Sequence, residues 1–180
     1  MKNKNLTLKL VYAAVCLALA LVLPFLTGQI PQIGKLLSPM HIPAFLAGFL
    51  CGPVWGLCVG FVAPLLRSAL FGMPVLFPMA AMMAFELATY AVVCGILYRI
   101  FPKKIPYIYC TLLISMLCGR IIYGIAAMVC FGITGAGYSL AAWFSGTITG
   151  AIPGIILHLI LVPVIVIALQ RAKLIPGEEK

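Results

Sequence analysis

Between residues 121 and 170 the sequence contains no Asp, Glu, Lys or Arg, and shorter uncharged apolar runs fill most of what precedes. A soluble globule of 180 residues cannot hide that much apolar surface, and water does not tolerate it exposed. Hydrocarbon does, so the chain reads as an integral membrane protein. The composition agrees: 64% of residues are hydrophobic and 8% are charged, against roughly 25% charged in an ordinary soluble domain.

A helical span takes about 20 residues, so six spans and their short connections use up the chain. The expected fold is therefore all-α: a compact bundle of six transmembrane helices forming one membrane domain over residues 1–180. No room is left for a nucleotide-binding domain, so any ATP hydrolysis must come from another chain. Pro, Gly and charge divide the sequence into helices at about 7–26, 40–51, 54–70, 78–100, 107–131 and 143–172. The lysine-flanked first run mimics a secretory signal peptide but continues too far for one, and is read as a retained first helix. The second helix is too short to cross alone and is expected to tilt partly through, meeting the third at Gly52-Pro53. The net charge of +9 would suggest nucleic acid in a soluble protein. Here it reads as a topology signal instead. Nine of the 12 Lys and Arg residues lie on the N-terminus, the loop after the fourth helix and the C-terminus. Cations resist translocation, so all three segments, and both termini, are expected on the cytoplasmic side.

Small residues recur one turn apart: Gly48, Gly52, Gly56 and Gly60, then Gly146, Gly150 and Gly154, with Ala14 and Ala18 on the first helix. Such spacing lets helix backbones approach closely within lipid. The seven cysteines sit in or beside apolar segments, form no Cys-x-x-Cys and have no nearby His ligand. They read as small core residues, with no metal site expected.

Three charges remain within the spans: Arg67, Glu86 and Arg120. Each costs about 2.5 to 3.5 kcal/mol at a helix centre, so each needs a partner or water. At 1.5 Å per residue, Glu86 lies roughly 12 Å and Arg120 roughly 16 Å from the outer helix ends, with Arg67 near the outer end of its helix. All three belong to the outer half of the bilayer, where one cluster around an outward-facing hollow is expected. Two arginines on one carboxylate leave a surplus cation, which a ligand carboxylate or phosphate could satisfy; a structural ion pair with Arg67 reaching the interface is the other reading. Tyr90 and Tyr123 share helix faces with Glu86 and Arg120. His41 opens the second helix, where it could meet a ligand or cap the helix, and Gln32 lies on the outer loop. His158 reads as a packing histidine, and Trp55, Tyr98, Tyr107 and Tyr109 as an interfacial belt. No carboxylate pair, nucleophile or metal constellation supports catalysis, and no cofactor is expected. A stand-alone carrier or channel, and less readily a membrane-embedded enzyme, remain as alternatives.

The six short spans, the long outer loop after the first, the segment Ser38-Pro39-Met40-His41-Ile42-Pro43-Ala44-Phe45-Leu46-Ala47-Gly48-Phe49-Leu50-Cys51-Gly52-Pro53 and the Ala14-x-x-x-Ala18 step together resemble the substrate-binding S component of energy-coupling factor (ECF) transporters. The resemblance implies capture of a water-soluble vitamin or precursor at the extracellular face, in a bacterial cytoplasmic membrane. It also implies partnership with a transmembrane coupling (T) subunit and two cytoplasmic ATPases, docked through Ala14 and Ala18. Related riboflavin binders carry an acidic residue before Ile-Pro, where this chain has His41. With the surplus arginine, that departure tilts the expected ligand toward an anionic compound such as pantothenate, with riboflavin or another vitamin next.

Overall fold

The computed structural model describes residues 2–27, 36–133, 143 and 151–175. Among these residues it is all-helical. Helix α1 covers Lys2–Val22 and ends in a 3-10 turn, Leu23–Thr27; α2 covers His41–Cys51 and α3 covers Pro53–Phe71. A single wide turn, Leu76–Ala80, leads into α4, Ala81–Ile100, followed by α5, Ile105–Ile133, and α6, Ile152–Arg171. The helices expected at 7–26, 54–70, 78–100 and 107–131 thus appear with ends shifted by a few residues. Of the sixth, expected from 143, Trp143 is helical and the continuous helix starts at Ile152, with 144–150 outside the described residues.

Among the described residues five helical stretches are long and apolar enough to cross a bilayer: Asn5–Leu26, Pro53–Phe71, Leu76–Ile100, Ile105–Ile133 and Ile152–Arg171. The sixth helix, α2, has 11 residues, too few for a crossing, and every one of them is buried. It is apolar on all sides because it is surrounded: α1, α3, α4 and α6 all pack against it. A half-length helix whose backbone hydrogen bonds are internal can sit at membrane depth when other helices shield it from lipid. Outside this centre, large apolar side chains such as Leu10, Val54, Ile125 and Ile160 point outward, as a lipid-facing surface requires.

Two features of the sequence set this packing. At the α2–α3 joint Gly52 has φ +86°, a left-handed conformation that favours glycine, and Pro53 follows as the first residue of α3, where its missing N–H costs nothing. The recurring glycines then make room for α4. A Cβ on Gly48 would stand 2.5 Å from the Ala91 carbonyl oxygen, and one on Gly60 2.5 Å from that of Leu87. Gly146 and Gly150 lie outside the described residues. The expected interfacial belt loses one member, since Tyr98 is buried and its hydroxyl accepts a 2.7 Å hydrogen bond from Gln170 Nε2, tying α4 to α6. Cys16, Cys51, Cys94 and Cys130 are buried, whereas Cys58 and Cys110 face outward rather than into the core.

Candidate functional site

Glu86, on the second turn of α4, is 2% exposed. A lone carboxylate at that depth is strongly unfavourable, and three neighbours compensate it. Arg120 Nη1 on α5 lies 3.0 Å from Glu86 Oε1. The Tyr90 hydroxyl, one turn further along α4, donates to the same oxygen at 2.6 Å. His41 Nε2, at the start of α2, stands 3.6 Å from Glu86 Oε2, close enough for electrostatic attraction but beyond hydrogen-bond length. The depths estimated along α4 and α5 therefore bring Glu86 and Arg120 together.

Arg67 is not in this group. It is 3% exposed and donates from Nη1 to the Leu21 carbonyl at the end of α1. Its guanidinium carbon lies 4.9 Å from the Phe25 ring centroid and 5.3 Å from that of Phe71. The expected cluster of three charges is thus a cluster of two, with Arg67 fastening α3 to α1. The reason is local: α1 leaves unsatisfied carbonyls where it passes into the 3-10 turn, and a cation is a favourable partner for them. With Arg67 elsewhere, the surplus positive charge that favoured an anionic ligand disappears, since Glu86 and Arg120 balance one another.

Beside the pair lies a cavity of about 230 Å3, lined by His41, Phe45, Tyr90, Arg120, Trp143 and His158 together with aliphatic residues of α5 and α6. Its rings are ordered: Phe45 stacks on Tyr90 with centroids 4.8 Å apart, and His41 lies nearly parallel to His158 at 5.6 Å. His158 Nε2 is 3.2 Å from the Ser38 carbonyl oxygen, while neither ring nitrogen of the buried His41 has a hydrogen-bond partner. An unmet buried polar group of this kind costs about 1 to 3 kcal/mol.

Two residues that the sequence reading did not assign to the site shape the cavity. His158, read there as a packing histidine, forms part of its wall. Gly119 is the second, because a Cβ there would overlap the Tyr90 ring. Gly119 lies one turn from Ser115, which bonds back to Thr111 and meets Cys94, a small-residue step that permits close helix packing, but nothing in the sequence says that the space belongs to Tyr90. Trp143 donates from Nε1 to the Arg120 carbonyl at 3.2 Å, closing one side. Tyr123 packs with Met82, Ala127 and Cys130 and does not line the cavity. Gln32 lies outside the described residues. Ala14 and Ala18 are exposed on the outer face of α1, opposite the buried Ala13, Cys16 and Ala20. No group of three or more metal-ligating side chains occurs among the described residues.

Residues 8–166 match the family model described as ECF transporter, substrate-specific component. The chain belongs to that family. No curated protein and no solved structure matches it. An ECF substrate-specific component is the substrate-binding part of a membrane transporter rather than an enzyme, and its family implies a small-molecule substrate, a transmembrane T subunit and ATPases on other chains. The five apolar spans fit a multi-pass membrane protein.

Proposed function

We propose that this S component captures a water-soluble vitamin or vitamin precursor from the extracellular side of a bacterial cytoplasmic membrane. The ligand enters the cavity between α2, α4, α5 and α6 and is delivered to the cytoplasm through a T subunit and two ATPases. The observation that carries this reading is the cavity beside the Glu86–Arg120 pair: fixed polar groups next to apolar, ring-bearing walls are what a small polar ligand needs for both orientation and desolvation. Arg120, Tyr90, His41 and Glu86 are its recognition residues, Arg120 and His41 in direct reach and Glu86 holding Arg120 in place. The exposed Ala14–Ala18 face of α1 is the surface that meets the T subunit, where small side chains allow close helix contact.

The test is binding without energy. Purified protein in detergent, screened against a panel of vitamins by thermal shift and then by calorimetry, is expected to bind one of them tightly in the absence of ATP, while accumulation in proteoliposomes requires the coupling subunits. Flux through vesicles containing this chain alone, or absence of binding to every vitamin in the panel, overturns the reading.

A further inference from the structure

The walls of the cavity narrow the class of ligand. Five of its lining side chains carry rings, and four of these form two near-parallel pairs: His41 with His158 at an interplanar angle of 17°, and Phe45 with Tyr90 at 25°. Aligned ring faces are the complement of another flat π-system and give little to a flexible aliphatic chain. Charge points the same way. Among the described residues Arg120 is the one Lys, Arg, Asp or Glu in the lining, and its guanidinium is already matched by Glu86. Arg67, whose charge would have left a cation over for an anion, is bound at the end of α1. An anionic ligand would therefore enter a site whose charges already cancel. The unmet demand is for hydrogen bonding: His41 is 4% exposed, lines the cavity and, with Glu86 Oε2 3.6 Å from its Nε2, has no hydrogen-bond partner on either ring nitrogen. A site built to hydrogen-bond a group rejects analogues that lack it.

We propose that the ligand is an uncharged, planar heteroaromatic ring system, packed against the rings of the cavity and hydrogen-bonded by His41, with His158 as a specificity residue that holds the His41 ring in its plane. The cavity, at about 230 Å3, is below the range of about 300–1,000 Å3 that accommodates drug-sized molecules, which favours one or two fused rings. This inference rests on the proposed function and specifies its substrate.

Calorimetry on the full-length protein in nanodiscs tests it with matched probes. Nicotinamide, 6-methylpterin and lumazine are neutral planar systems of one or two fused rings; nicotinate and pterin-6-carboxylate are charged counterparts of the first two, and pantothenate is a flexible anion. At least one neutral ring is expected to bind at least tenfold more tightly than its carboxylate and than pantothenate. His41→Phe, which keeps the stacking but removes both ring nitrogens, is expected to lose about tenfold in affinity for that ring, the effect of one hydrogen bond. His41→Asn, which restores a polar atom near Nδ1, is expected to recover most of it. Tighter binding of pantothenate or of a carboxylate overturns the inference and leaves the transport reading intact. Failure of all three neutral rings to bind also overturns it, and uptake of any vitamin with the coupling subunits then reports on the transport reading by itself. The comparison of probes uses the unmodified protein, so it stands even if His41→Phe does not fold.

Discussion

At the scale of single residues, Glu86 dominates. Its burial is tolerable because Arg120, Tyr90 and His41 surround it, so its partners are worth more as compensation than as attraction. Removing one member of a buried ion pair strands the other charge, at a cost of about 3 to 5 kcal/mol, whereas removing both costs much less. Arg120→Ala is therefore expected to lower the unfolding temperature more than the double variant Arg120→Ala with Glu86→Gln; the two melting curves compared in the same detergent check this, and a double variant less stable than the single one would contradict the pairing. Gly119 acts through Tyr90. Gly119→Ala forces the ring away from Glu86, and is expected to cost about tenfold in ligand affinity, the equivalent of one lost hydrogen bond, while Gly132→Ala, with open space around it, leaves binding unchanged. Binding isotherms of the two variants separate these outcomes.

At the scale of elements, α1 and α2 divide the work. Helix α2 is buried along its whole length and brings His41 and Phe45 to the cavity, so its sequence has no polar stripe. Helix α1 packs through Ala13, Cys16 and Ala20 and leaves Ala14 and Ala18 on the outside. Leucines at both outer positions are expected to abolish co-purification with the coupling subunits and ATP-driven uptake, with ligand affinity within about twofold of the parent, because large side chains block close helix approach without touching the core. Loss of affinity together with uptake would place α1 in the binding site instead of at the partner surface.

At the scale of the whole molecule, cations are distributed unevenly. Lysine and arginine gather on the N-terminus, the connection between α4 and α5, and the C-terminus, so these segments are expected on the cytoplasmic side, with the connection between α3 and α4 outside. With the native cysteines replaced by serine, Asn3→Cys and Lys173→Cys are expected to react with an impermeant maleimide only after permeabilisation of the cells, and Val75→Cys before it. Reaction of the two terminal cysteines from opposite sides would require an odd number of crossings. The count is open to this test because α2, at 11 residues, is shorter than a crossing of about 20.

The sequence by itself determined the solvent and most of the helical segments, and it placed Arg67, Glu86 and Arg120 in the same half of the bilayer without deciding which arginine meets the carboxylate. Hydropathy, helix breakers and depth at 1.5 Å per residue can all be read along one dimension. The joint at Gly52-Pro53 was legible for the same reason, since glycine and proline act on the local backbone. Only the tertiary structure decided that Arg67 turns to the end of α1, that Tyr123 packs against Met82, Ala127 and Cys130, and that His158 lines the cavity. Those outcomes depend on how far each helix is rotated about its axis and how closely it meets its neighbours. Contacts such as Gly60 on the Leu87 backbone and Gly119 on the Tyr90 ring fix both, and they join residues distant in sequence, which no spacing along the chain encodes.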